Sequence, residues 1–310
     1  MTRLLALAAI AAAFLATPLS GASAQKITFG FSASTAFGNA FVAANEGLFK
    51  KHGLDVEMKL VPNSSTTPAA LIADSLQVAT PTAPVTLQAI EQGLDLMVLA
   101  GGGRYVKGMT DVAVMVRPDS PIKSAQDFVG KRVATAGLNA FLHVLFRKWL
   151  MTNGVDPKRV TFTETPFAQQ IDVLRSGQVD AILAVQPFLA RGLEANLGRV
   201  VSYYISDIEG ETLSGWYVAT RKWVEQNPKQ AAAFRAAIEE ATDLIGKDRA
   251  VLRKANLAYI PFPAEVQAKF SDALYRAAVS PEAVQRWNEI ALEQSMLKAA
   301  VEPARILYQP

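Results

Sequence analysis

The sequence KITFGFSASTAFGNAFVAANEGLFKKHGLDVEMKLV, residues 26–61 of the chain, decides the fold. Its two ends, Lys26–Phe31 and Leu54–Val61, are short and rich in apolar residues, which is typical of β-strands. Between them, Asn39–His52 places apolar residues at helical spacing, and Gly53 follows as a residue that ends a helix in a left-handed conformation. A strand, a helix and a second strand in this order predict a parallel βαβ unit.

The same alternation of strands and helices continues through the first two-thirds of the chain and predicts an α/β fold. Pro118 and Pro121 interrupt it after the glycines at residues 101–103, expected to be flexible, and a strand at Val112–Val116. The first hinge is expected here, with a second βα series after it. From Arg221 onward the pattern is helical. Further strands are predicted at residues 77–79, 94–100, 132–135, 160–164, 181–185 and 216–220, and further helices at residues 68–75, 83–92, 139–153, 167–176 and 187–196.

The first residues have the pattern of a secretion signal. Arg3 precedes an apolar run at Leu4–Ala16, which is shorter than the roughly 20 residues that span a bilayer. Ala22–Ala24 supplies the small residues that signal peptidase accepts, so cleavage is predicted before Gln25. A buried core helix is the alternative, but it does not explain the charge, the apolar run and the cleavage pattern together. Residues 1–24 are therefore predicted to be a signal peptide and the mature chain to lie in the periplasm.

Composition excludes several classes of protein. The chain contains no cysteine, which excludes disulfides, thiolate catalysis, cysteine-ligated zinc and a lipid-bearing cysteine. Its formal charge of +3 is spread without basic blocks, so nucleic-acid binding is not expected despite a pI of about 9.0. The mature chain is expected to be soluble, untethered and long enough for two domains.

Residues that could catalyse a reaction are scarce. The chain has 2 histidines, His52 beside a helix-ending glycine and His143 within an amphipathic helix, and structural roles explain both. The glycines that precede Arg104 lack the strand-loop-helix pattern of a phosphate-binding loop, so a hinge is favoured over a nucleotide site. No catalytic residue, cofactor or metal is expected.

Polar but uncharged residues follow the predicted strands, at the edge where open α/β sheets bind ligands. Helix N-termini at these junctions present unpaired N–H groups, which can hold an anionic or carbonyl oxygen without lysine or arginine. Ordinary helix capping prefers the same residue types and stays open as an alternative. The candidates from this argument are Ser32, Ser34, Thr35, Thr80, Thr82, Gly137, Leu138, Asn139, Gln186 and Pro187.

The order and spacing of several segments resemble the substrate-binding proteins of ABC importers for nitrate, sulfonates, taurine and thiamine precursors. The segments that carry this resemblance are Phe41–Phe49, Gly53–Val56, Pro118–Ser124, Gly130–Val133, Ser176–Ala181 and Gln186–Phe188. The resemblance runs through most of the mature chain. It implies a type II periplasmic binding protein fold, in which two α/β lobes are joined by a two-strand hinge.

The resemblance also implies how the chain is divided. Lobe I is expected at residues 25–112 and 217–310, and lobe II at residues 113–216, with crossovers near Asp111–Val116 and Ser214–Thr220. It adds Phe37, Ser214 and Trp216 to the ligand contacts. Gln186 stands where the family often has a glutamate, which removes the most obvious counter-charge for a cationic ligand.

The function that follows is capture of a small organic anion, such as a sulfonate or an aromatic carboxylate, with Phe37 or Trp216 covering its apolar part. A neutral heterocycle such as a thiamine pyrimidine precursor is the alternative, and an enzyme of pyrimidine synthesis on the same fold is less favoured. The expected partners are the ligand, an inner-membrane ABC permease and its ATPase, and the protein is expected to be a monomer.

Overall fold

The computed structural model describes residues 26–207, 211–260 and 273–310. The predicted signal peptide lies outside the described residues. Among the described residues, the strands form two sheets of five strands and one sheet of three. The α/β prediction is confirmed.

The strands of the first sheet are β1 (Ile27–Phe31), β2 (Val56–Leu60), β3 (Val78–Ala79), β4 (Leu96–Gly101) and β12 (Trp216–Thr220). They lie in the order β2-β1-β3-β12-β4. Strand β1 runs parallel to both β2 and β3, whereas β12 comes from late in the chain and pairs antiparallel with β3 and β4. The opening βαβ prediction is therefore confirmed.

The strands of the second sheet are β6 (Val112–Val116), β7 (Arg132–Thr135), β8 (Thr161–Glu164), β9 (Ala181–Val185) and β10 (Arg199–Ser202). They lie in the order β10-β6-β9-β7-β8. Strand β7 is parallel to β8 and β9, and β6 is antiparallel to β9 and β10. Each of the two sheets draws its strands from one of the predicted lobes, except that Val112 of β6 and Trp216 of β12 each lie one residue across the predicted boundaries. The lobe boundaries themselves stay a prediction.

The third sheet lies where the chain passes between the other two. It consists of β5 (Gly103–Tyr105), β11 (Thr212–Leu213) and β13 (Leu274–Tyr275), and β5 pairs antiparallel with both partners. The expectation that residues 101–103 form a flexible stretch was wrong, because these glycines lie in and between strands. A Cβ atom on Gly102 would come 2.7 Å from the carbonyl oxygen of Ala36, so close backbone packing explains this glycine.

Helices cover the faces of the sheets. The predicted helix at Asn39–His52 is two helices, because Gly47 adopts a left-handed conformation with φ of 69° between them. None of the helices in the described ranges is both long and apolar enough to cross a membrane. The helices are α1 (Gly38–Asn45), α2 (Leu48–Lys51), α3 (Thr67–Ile72), α4 (Ala83–Glu91), α5 (Phe141–Thr152), α6 (Phe167–Arg175), α7 (Phe188–Glu194), α8 (Arg221–Gln226), α9 (Pro228–Lys247), α10 (Arg249–Tyr259), α11 (Pro281–Glu293) and α12 (Pro303–Ile306).

The first sheet with its helices is called the first half of the protein, and the second sheet with its helices the second half. One part of the hydrophobic core joins these two halves. One cluster of buried residues includes Phe141 of the second half and Trp287 of the C-terminal α11, whose ring centroids are 5.7 Å apart. A separate cluster packs α9 on the first sheet, where Phe29 and Phe234 meet edge to face at 5.5 Å. Full burial of such a ring contributes about 1.5–3 kcal/mol. The C-terminal segments therefore hold the first half together and also contact the second.

Candidate functional site

A cavity lies between the two large sheets and is lined from both sides. It contains about 550 Å³ of space, a volume that includes the solvent at its mouth. Its lining residues are Ser32, Ser34, Ala36, Phe37, Pro62, Ser64, Thr82, Tyr105, Thr135, Ala136, Gly137, Ala140, Phe141, Leu142, Phe167, Val185 and Ser214.

The cavity is formed where strands end. Ser32 follows β1, Thr135 is the last residue of β7, and Val185 is the last residue of β9. Because parallel strands present their carboxyl ends at one edge of a sheet, residues far apart in the chain meet there. The two sheets face each other across this edge.

The lining is uncharged among the described residues, and its polar side chains carry hydroxyl groups. The Ser34 hydroxyl accepts a hydrogen bond from the Ala36 amide at 3.2 Å, and the Ser214 hydroxyl donates to the Gly103 carbonyl at 2.9 Å. Each hydroxyl can donate one bond and accept two, so both retain capacity for a ligand.

Thr82 connects the two halves at the cavity. Its hydroxyl accepts a hydrogen bond from the backbone N–H of Phe141, the first residue of α5, at 3.2 Å. The residue before the helix, Ala140, has no side chain that could cap it. A threonine from the first half therefore satisfies one of the helix's free N–H groups.

Glu164, the last residue of β8, forms a second connection at the margin of the cavity. Its Oε1 atom accepts from the Ser65 hydroxyl of the first half at 2.9 Å, and its Oε2 atom accepts from the Leu138 amide of the second half at 2.8 Å. Ser65 and Leu138 are the chain neighbours of Ser64 and Gly137, which line the cavity. The carboxylate thus links the two rims of the cleft.

His143 fixes the loop that precedes α5. Its Nδ1 atom accepts a hydrogen bond from the backbone N–H of Asn139 at 2.8 Å, and Asn139 has a left-handed φ of 58°. Burial, and to a smaller extent the charge of Arg147, lower the pKa of His143 from 6.5 to about 3. The imidazole is therefore neutral near pH 7, with its proton on Nε2, and has the structural role that the sequence predicted.

The structure brings about half of the predicted contact residues to the cavity. The predicted residues that line it are Ser32, Ser34, Phe37, Thr82, Gly137 and Ser214. The predicted residues that lie outside the lining are Thr35, Thr80, Leu138, Asn139, Gln186, Pro187 and Trp216. Ligand contact stays a prediction for these residues, and only those in the lining enter the site proposed for the ligand.

Several of the residues outside the lining have other partners. Thr80 is fully buried and its hydroxyl donates to the Gly30 carbonyl at 3.3 Å. The Gln186 Oε1 atom accepts from the Ala190 amide at 3.2 Å. Trp216 is fully buried in the core and lies outside the lining, whereas Phe37, which was expected to share its role of covering the ligand, lies in it.

Three aromatic rings that were not predicted from the sequence line the cavity. Phe141 opens α5, Phe167 opens α6 directly after β8, and Tyr105 ends β5. Burial raises the pKa of Tyr105 well above its ordinary value, with a smaller contribution from Asp111, so this phenol stays protonated. The strand-end argument would have found Phe167 and Thr135 if it had included every junction and apolar side chains.

No group of three or more histidine or acidic side chains that could hold a metal ion occurs in the described part of the chain.

The two sheets and the cleft between them define a periplasmic binding protein fold, which solved structures share. The chain belongs to the NMT1/THI5-like family, whose model matches residues 34–249. The alkanesulfonate-binding protein SsuA from Xanthomonas axonopodis pv. citri, bound to MOPS, superimposes with a TM-score of 0.75 at 17% identity, over 92% of this chain and 98% of that one.

The curated relatives match this chain over only part of their own length. The nitrate/nitrite binding protein NrtA of Synechococcus elongatus is 23% identical over 69% of this chain and 54% of its own length. A putative thiamine biosynthesis protein of Haemophilus influenzae is 24% identical over 66% of this chain and 63% of its own. The chain spans 39 to 63% of the length of the first curated relatives it matches.

Proposed function

We propose that this protein is the periplasmic solute-binding component of an ABC importer and captures a small organic molecule between its two halves. The observation that carries the proposal is the cavity itself, which both halves line at the carboxyl ends of their strands. A ligand in this position touches both sheets, so it binds the closed arrangement better than an open one. The similarity to SsuA and NrtA supports the same class of function.

The proposed ligand is a small organic anion with an apolar body, such as a sulfonate or an aromatic carboxylate. The rings of Phe37, Phe141 and Phe167 line the cavity and suit an apolar or aromatic body. The first residues of α5 lie in the same lining, and a helix N-terminus favours negative charge. Hydroxyl groups supply further donors to an oxygen.

A neutral heterocycle, such as a pyrimidine precursor of thiamine, is the second candidate. The absence of charged side chains among the described lining residues favours it, because a neutral ring needs no counter-charge. The relation to a putative thiamine biosynthesis protein points the same way. Stacking on the phenylalanine rings would then supply most of the affinity.

The wider assignment follows from this function. We propose residues 1–24 as a signal peptide, lobe I at residues 25–112 and 217–310, and lobe II at residues 113–216. The partners would be an inner-membrane permease and its ATPase, with the binding protein acting as a monomer. Catalysis is not proposed, since the lining residues supply hydroxyl, amide and aromatic groups but no ionisable acid or base near neutral pH.

Calorimetry with four compounds tests the proposal. The chain beginning at Gln25 is titrated with benzenesulfonate, benzoate, the uncharged isostere benzamide, and cytosine. Binding of an anion but not of benzamide supports the first candidate, and binding of benzamide or cytosine but not of the anions supports the second. The bound compound should be recovered unchanged, because steady consumption by purified protein would contradict a binding function.

A further inference from the structure

The hydroxyl group of Thr135 is unusual among the buried polar groups of the cleft. Thr135 is the last residue of β7, has 0% of its surface exposed and lines the cavity. Its Oγ1 atom has no hydrogen-bond partner among the described residues. A hydroxyl removed from water without a partner carries a desolvation cost that a ligand contact can offset.

Thr80 is its structural counterpart in the first half. It also follows a strand, β3, and also has 0% of its surface exposed. Its hydroxyl, however, donates to the Gly30 carbonyl, and the residue lies outside the cavity lining. Two buried strand-end threonines thus differ in the two properties that mark a ligand contact, which are access to the cavity and a free hydrogen-bonding group.

The surroundings of Thr135 favour one kind of ligand atom. In the sheet, Thr135 is paired with Glu164, whose carboxylate oxygens accept from Ser65 and from the Leu138 amide. The chain then leads through Ala136 and Gly137 to the N-terminus of α5, and all of these lie in the lining. Amide donors at a helix N-terminus attract an acceptor atom, so a hydroxyl beside them is best used as a further donor.

We propose that Thr135 is a specificity-determining residue that donates a hydrogen bond to an acceptor oxygen of the bound ligand, whether carbonyl, carboxylate or sulfonate. This inference rests on the proposed function and adds to it which end of the ligand lies toward the second half. The oxygen-bearing end faces Thr135 and the start of α5, and the apolar body faces the ring of Phe37 in the first half. Analogues that carry a methyl group in place of that oxygen would be rejected, because the hydroxyl would again lack a partner.

Three variants test this assignment by calorimetry and thermal unfolding. The probe is whichever of benzenesulfonate, benzoate, benzamide and cytosine binds the wild-type protein most tightly, since each has an acceptor oxygen. Thr135→Val, which replaces the hydroxyl by a methyl group, should weaken binding by about tenfold or more, the change that corresponds to about 1.4 kcal/mol. Thr135→Ser keeps the hydroxyl and should stay within about threefold of the wild type.

Thr80→Val is the matched control. It removes the hydroxyl of an equally buried strand-end threonine, so it should lower the unfolding temperature and leave the affinity within about twofold. Thr135→Val without ligand should unfold at no lower temperature than the wild type, because it removes an unpartnered group.

Each other outcome overturns the assignment. Unchanged affinity in Thr135→Val removes Thr135 from the contacts and leaves the proposed function intact. Equal losses of affinity in Thr135→Val and Thr80→Val assign both threonines to structural support. A wild-type protein that binds none of the four compounds contradicts the assignment together with the ligand classes of the proposed function.

Discussion

Acidification from about pH 7.5 to about pH 5.5 should destabilise this protein through one buried side chain, His143. Its imidazole is 5% exposed, accepts the Asn139 amide at Nδ1 and has a pKa lowered to about 3 by burial and by Arg147. In the unfolded chain the same group has a pKa of 6.5. The unfolded state therefore binds a proton first as the pH falls, and the folded state loses stability relative to it.

The magnitude follows from the two pKa values. Between 6.5 and about 3 only the unfolded state is protonated at this position, so the free energy of unfolding falls by up to about 1.4 kcal/mol per pH unit. Between about pH 7.5 and about pH 5.5 the loss amounts to about 1.4 kcal/mol. The effect is complete only below about pH 3, where both states bind the proton.

Urea denaturation at several pH values in this window measures the effect. The basic partners of Glu46, Glu57 and Glu240 lower the pKa values of these carboxyl groups from 4.5. Their contributions to the free energy of unfolding are therefore lost only at lower pH, and the change within this window is assigned to His143. His143→Gln should remove the slope. The control His52→Gln should keep it, because this substitution at the surface leaves the buried imidazole of His143 in place.

Equal slopes in the wild type and in His143→Gln would refute the reasoning. That result would mean that the imidazole is accessible to protons in the folded state. It would also remove the argument that a neutral histidine fixes the Asn139 loop beside the cavity.

Two further substitutions test particular contacts. Glu164→Ala removes the carboxylate that joins Ser65 of one half to the backbone of the other. Losing about 1 kcal/mol from the closed state should speed ligand dissociation about fivefold in stopped-flow experiments. An unchanged dissociation rate would contradict this link between the halves. Tyr217→Phe removes the hydroxyl that donates to buried Asn39 at 2.5 Å and should lower the free energy of unfolding by about 1–3 kcal/mol in urea without changing ligand affinity. A neutral effect on stability would show that the bond contributes nothing.

The strands that alternate with helices could be predicted from the sequence because their apolar runs are continuous. Arg132–Thr135, Ala181–Val185 and Trp216–Thr220 have the predicted bounds in the structure. The three-stranded sheet could not be predicted in this way. Its strands β11 and β13 have two residues each, and β5 begins at a glycine, so none carries a periodic pattern.

The candidate site was predictable in its hydroxyl groups and not in its rings. Ser32, Ser34 and Thr82 follow strands, and that position alone brings them to the cavity. Trp216 shows the limit, because β12 is buried on both faces and its sequence does not tell which side chains face the ligand. Its ring packs into the core, while Phe167 of α6 reaches the cavity.

Small-angle X-ray scattering tests the central claim, that the two halves close on a small molecule, most directly. The chain beginning at Gln25 is measured alone and with a saturating concentration of the compound that binds most tightly in calorimetry. A ligand that contacts both halves shifts the population toward the closed arrangement, so the radius of gyration should decrease. Identical scattering curves with and without the saturating compound would contradict the clamp.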